Sequence, residues 1–110
     1  MMQTKVVKAE EANIFLEGLE VCREYFHSEK ITFGTSELMP GQTGAIDQGH
    51  PDSHEVFYVV RGEVLLRCGE KLYDLTEGMA QIIPPGEPHQ LTNIGDEKCI
   101  VSWSLAPSEF

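Results

Sequence analysis

From Val21 onward the chain is a succession of short apolar runs rich in β-branched and aromatic residues. Gly, Pro, Asn or Asp interrupts them at intervals of about eight to twelve residues, the spacing of all-β sandwiches and barrels. Strands are predicted around Val21–Phe26, Ile31–Met39, Val56–Val60, Glu63–Cys68, Lys71–Leu75, Met79–Ile83, Gln90–Asn93 and Lys98–Leu105. Turn residues join them at Pro40-Gly41, Arg61-Gly62, Gly69-Glu70, Glu77-Gly78, Pro84-Pro85-Gly86 and Gly95-Asp96. Helical periodicity is confined to Ala9–Glu17, where Glu10 and Glu11 suit a helix N-terminus, and one or two turns are expected there.

The strand that follows Glu55, Val56-Phe-Tyr-Val-Val60, is apolar on both alternating faces. Either both faces are packed within the chain or one is a surface for a second copy, and a homodimer is expected. Tyr58, Phe33, Phe57 and Trp103 are read as core residues. The tail from Pro107 to Phe110 is left open between a loose end and one docked through Phe110.

At 110 residues the chain is long enough for one hydrophobic core and too short for two, so residues 1–110 are expected to form one domain. The net charge of −10 and the scattering of only eight Lys and Arg residues disfavour a nucleic-acid partner. No apolar run is long enough to span a bilayer, and the first residues do not resemble a secretory signal, which points to a cytoplasmic protein. Cys22, Cys68 and Cys99 are odd in number and far apart, as expected of buried thiols in a reducing compartment rather than a disulfide framework.

The chemistry gathers in three of the four histidines, His50, His54 and His89, which fall beside turns at the ends of predicted strands. Side chains placed there converge in the mouth of a barrel. Two imidazoles and a carboxylate, from His50, His89 and Glu55, form a ligand set for a divalent metal such as iron, manganese, zinc or nickel. Three such ligands leave coordination positions open for water or substrate.

The spacing of these residues resembles the cupin superfamily. Its second motif, G-x5-P-x-G-x2-H-x3-N, is complete in Gly78, Pro84, Gly86, His89 and Asn93. Its first motif, which closes H-x-H-x3-4-E-x6-G, is represented by His50, Glu55 and Gly62, with Gln48 where the first histidine belongs. The resemblance spans about residues 39–105 and implies an antiparallel double-stranded β-helix, a jelly-roll barrel, with a metal on His50, Glu55 and His89. Gln48 either completes the metal shell through its amide oxygen or hydrogen-bonds a bound water or substrate. His54 and Asp52 are reserve candidates, His54 being expected to point outward if Glu55 points in.

The resemblance further implies a metal-dependent enzyme acting on a sugar, keto acid or similar oxygen-rich metabolite, of isomerase, lyase or dioxygenase type. A ligand-binding barrel for a sugar or carboxylate and a metal-free assembly subunit are the alternatives. No residue names the proton shuttle or the substrate.

Overall fold

The computed structural model describes residues 3–109 and contains nine strands, all paired antiparallel. In chain order these are β1 (Asn13–Glu17), β2 (Glu20–His27), β3 (Thr32–Leu38), β4 (His54–Arg61), β5 (Glu63–Cys68), β6 (Lys71–Thr76), β7 (Ala80–Ile83), β8 (His89–Asn93) and β9 (Cys99–Ala106). They form a six-stranded sheet in the order β1-β2-β3-β9-β4-β7 and a three-stranded sheet in the order β6-β5-β8. The segment from Gly41 to Asp47 runs beside β8, through Gly41 N–H to Asn93 O, Gly44 N–H to Leu91 O and a reciprocal pair between Asp47 and His89. It lengthens the smaller sheet irregularly and delivers Asp47 next to His89.

The eight strands expected from the sequence are present, each within two residues of its expected ends. The short helical segment expected near the N-terminus is present as a single 3-10 turn over Ala9–Glu11, and the rest of that stretch, Asn13–Glu17, is strand β1 instead. Gly18, at φ +62°, begins a two-residue turn that folds β1 onto β2, with Glu17 opposite Glu20 and Phe15 opposite Cys22. A glycine at the first central position is the signature of a type II′ hairpin turn, whose twist matches the flanking strands. Phe15 then packs against the core, a tertiary contact that a local helix would have forfeited.

Period-two alternation decides which residues meet between the sheets. Phe57 and Val59 of β4, Val64, Leu66 and Cys68 of β5, Leu91 of β8, and Cys99, Val101 and Trp103 of β9 interlock with Leu38, Leu75 and Ile83. Gly34 makes room for this: it pairs with Trp103 across β3 and β9, and a Cβ there would overlap the indole ring. The outer face of β4 is another matter. Val56, Tyr58 and Val60 are 38–50% exposed, with Ile82 of β7 beside Val56, so Tyr58 lies outside the core in which it was placed. Phe33 is also on an outer face, half-buried against Tyr25. The three cysteines are buried free thiols. No helix among the described residues is long and apolar enough to cross a membrane.

Candidate metal centre

The same alternation that fills the core at one end of the sheets opens a cavity at the other. On β4, Val59 and Phe57 are core residues and Glu55 is the next inward position toward the opening; on β8, Leu91 is a core residue and His89, two residues before it, is the corresponding inward position. His89 is set by the turn before it. Pro85 and Gly86, the latter at φ +80°, occupy the central positions of a turn closed by Glu87 N–H to Pro84 O, which fits a type II turn. Gly86 N–H donates to His50 O at 2.8 Å, so this turn also holds the loop that carries His50. A Cβ on Gly49 would press on the Gly86–Glu87 backbone, and glycine is required for that approach. Asn93 serves the scaffold: fully buried, it donates to Leu38 O and Glu97 O and accepts from Gly95 N–H.

Four donor atoms converge in the cavity. His89 Nε2 lies 3.0 Å from Glu55 Oε1 and 3.5 Å from Asp47 Oδ2, and His50 Nε2 lies 3.5 Å and 3.3 Å from the same two oxygens. The other ring nitrogens face outward. His89 Nδ1 donates to Glu87 O at 2.9 Å, and His50 Nδ1 lies 3.4 Å from Glu109 Oε1. An imidazole that gives its Nδ1 proton to an oxygen presents a lone pair at Nε2, which is how metal-binding histidines are oriented.

A divalent cation fits these residues on two counts. Glu55 Oε1 and His89 Nε2 are buried 3.0 Å apart with no other partner, so a proton or a cation must lie between the carboxylate and the imidazole. Donors held about 2.1 Å from one first-row metal are about 3.0–3.4 Å apart at octahedral or tetrahedral angles, close to the 3.0–3.5 Å between each imidazole Nε2 and the two carboxylate oxygens. Without a cation, protons do the bridging. The hydrogen bond with Glu55, against the effect of burial, lifts His50 to about 9. Burial would lower His89, but the Asp47 and Glu55 carboxylates raise it to about 10. Burial likewise works against Asp47, yet His89 and the Gly49 amide bring it down to about 2, and both imidazoles hold Glu55 below the ordinary carboxylate range.

His50, Glu55 and His89 are therefore brought together as the sequence suggested, but Gln48 is not among the residues lining the cavity and is exposed. Asp47 stands in its place. The pairing with His89 turns the Asp47 side chain inward, and its Oδ1 accepts the Gly49 amide at 2.9 Å. Fixed motif spacing pointed one residue too late; the Asp-x-Gly pattern of an Asx turn was the available signal. His54 is exposed, as parity required, and Asp52 is exposed and outside the cavity lining. Glu109 escaped notice altogether. The tail is tied down by Ser108, which hydrogen-bonds Thr32 Oγ1 at 2.7 Å, and by Ser53, which donates to Pro107 O. Phe110, through which one of the two alternatives for the tail would dock it, lies outside the described residues.

Beyond the donors the cavity extends to about 390 Å³, walled by Phe15, Phe57, Leu91, Trp103 and Leu105 and by the acids of the β1–β2 hairpin. Glu17, Glu20 and Cys22 place ligand atoms within 4.8 Å of one another. Burial, and then the charge of Glu20, raises Glu17 to about 7; burial also raises Glu20 and pushes the Cys22 thiol up to about 12.

Comparison with known proteins agrees with this architecture. The cupin domain family matches residues 34–105, and the chain belongs to that family. A Thermus thermophilus protein of known crystal structure is 32% identical, with a TM-score of 0.73 over 80% of this chain and 83% of that one. KdgF from a Halomonas species superimposes with a TM-score of 0.80 at 16% identity, covering 96% of both chains, a likeness of fold alone. A predicted oxalate decarboxylase from Thermotoga maritima does so at 0.80 and 17%, covering 94% of this chain and 100% of its own. An uncharacterized protein of Methanocaldococcus jannaschii is 25% identical over 104 residues, 87% of this chain and 82% of that protein.

Proposed function

We propose that the protein is a metal-dependent enzyme acting on a small oxygen-bearing metabolite, with Asp47, His50, Glu55 and His89 holding a divalent iron, manganese, zinc or nickel ion. The observation that carries this reading is the buried pair of Glu55 Oε1 and His89 Nε2, 3.0 Å apart at the cavity wall, with Asp47 and His50 beside it. A divalent metal bound there supplies a Lewis acid that chelates neighbouring ligand oxygens and stabilises negative charge as it develops. The chain's own residues do the rest. Glu87 O and Glu109 orient the two imidazoles, Phe57, Trp103, Leu91 and Leu105 exclude water from a bound molecule, and the cavity volume suits a metabolite of sugar size. The predicted oxalate decarboxylase from Thermotoga maritima shares the fold, and oxalate is itself a small oxygen-bearing molecule.

Elemental analysis of the purified, untagged protein tests this. Near-stoichiometric metal is expected in the wild type and in Gln48→Ala, with loss in His50→Ala, His89→Ala and Asp47→Asn. Wild-type protein that stays metal-free after reconstitution would sink the metalloenzyme reading, and loss in Gln48→Ala with retention in Asp47→Asn would return the fourth position to Gln48.

A further inference from the structure

The two imidazoles of the metal centre are held by different means. His89 is fixed by the scaffold: its Nδ1 donates to the Glu87 carbonyl in the turn that leads into β8, and its side chain is 3% exposed. His50 stands on the loop between β3 and β4, is 24% exposed, and has a side-chain carboxylate at Nδ1, Glu109 Oε1 at 3.4 Å. That carboxylate belongs to the segment that follows β9. The Ser53 hydroxyl donates to Pro107 O, Ser108 N–H donates to Glu29 O at 3.3 Å, the Ser108 and Thr32 hydroxyls lie 2.7 Å apart, and Asp52 N–H donates to Glu109 Oε2 at 3.5 Å. The segment thereby ties the β2–β3 connection to the His50 loop at the cavity rim, where Thr32, His50 and Glu109 all line the cavity.

We infer that Pro107–Glu109 is a strap that controls metal retention: seated, it aims His50 Nε2 into the site through Glu109, and displaced, it releases the ring. This deepens, and rests on, the reading of Asp47, His50, Glu55 and His89 as ligands. An imidazole can present either nitrogen, and only the one aimed at Asp47 and Glu55 can share a cation with them. A carboxylate at Nδ1 selects that tautomer and fixes the ring. Glu109 alone would do this poorly, because holding a flexible, partly exposed glutamate in one rotamer costs entropy. Its backbone is therefore anchored one residue earlier, by Ser108, which is 9% exposed and has both its N–H and its hydroxyl engaged. Those partners, Glu29 and Thr32, are not ligands, so the hold on the metal depends on a residue remote from the donors.

Zinc affinity, measured by competition with a chelating dye, tests this in the wild type, Glu109→Gln, Glu109→Ala, Ser108→Ala and the double variant Ser108→Ala/Glu109→Ala. Removing a carboxylate that orients a ligating imidazole costs about 10–100-fold in metal affinity, and that loss is expected in Glu109→Ala. Glu109→Gln, whose amide oxygen still accepts the Nδ1 proton, should recover most of it. Ser108→Ala should weaken binding when Glu109 is present and add nothing once it is gone, since the two residues act through one contact. Proton NMR of cobalt-loaded protein gives a second readout: the exchangeable Nδ1 proton of His50 should be lost to solvent in Glu109→Ala, while that of His89, on the Glu87 carbonyl, stays. Equal affinities for wild type and Glu109→Ala, Glu109→Gln as weak as Glu109→Ala, or additive losses in the double variant overturn the inference. Wild-type protein that takes up no metal sinks the metal-centre reading and this inference together, so the wild type alone tells the two failures apart.

Discussion

Glu17 shows how a single side chain reports its surroundings. An acid whose pKa rises on folding takes up a proton as the chain folds, so its ionisation opposes folding once the pH exceeds its unfolded value. For Glu17 that opposition grows between 4.5 and about 7 and is constant above. Glu17→Gln should therefore raise the melting temperature of metal-free protein more at about pH 8 than at about pH 5. Equal shifts at the two pH values in thermal melts would show that Glu17 titrates normally. Nothing in the sequence around Glu17 betrays this behaviour, because its main causes, burial and then Glu20 across the hairpin, exist only after folding. His89 is the contrary case. Its neighbours Gly78, Pro84, Gly86 and Asn93 stand at fixed intervals because turn and strand geometry demand them, and such demands are written locally.

Among the elements, the β1–β2 hairpin is the one the sequence concealed. Ala9–Glu17 carries early acids and no strong strand pattern, and a helix was the locally reasonable expectation. Tertiary pairing overrode it, through the Gly18 turn and the burial of Phe15 against the core. Gly18→Val tests that account: the residue has φ +62°, and a Cβ there would stand 3.0 Å from the Ala45 amide nitrogen. A β-branched residue in the left-handed region costs about 1–3 kcal/mol, so the denaturant midpoint should fall by a corresponding amount. An unchanged midpoint would mean that the hairpin adds nothing to global stability. The strands of the second motif, by contrast, were legible almost to their ends, because Gly and Pro mark them on both sides.

The whole molecule has a front and a back. Apolar inner faces close one end of the sheets, carboxylates and histidines line the other, and the outer face of β4 and β7 presents Val56, Tyr58, Val60 and Ile82 to solvent. We propose that this stripe meets its own copy in a homodimer, since a two-fold axis sets one apolar strip against an identical one. Light scattering at micromolar concentration should give twice the chain mass for the wild type and a monomer for Tyr58→Glu; a monomeric wild type would refute the dimer. The run Val56–Val60, apolar on both faces, left open whether both faces are packed or one meets a second copy, and the structure leaves Val56, Tyr58 and Val60 exposed.

Taken by itself, the sequence determined what turn chemistry and period-two alternation can write along one chain: the antiparallel strands, the positions of His50, Glu55 and His89, and the direction of His54. Only the tertiary structure decided that Asp47 rather than Gln48 enters the cavity, that Glu109 returns to His50, and that Glu17 faces Glu20. Each of these depends on which distant backbone pairs with which. A bridge from Asp47 to His89, a tail anchored at Ser108 and a hairpin at Gly18 are relations between segments, and no local residue pattern specifies them.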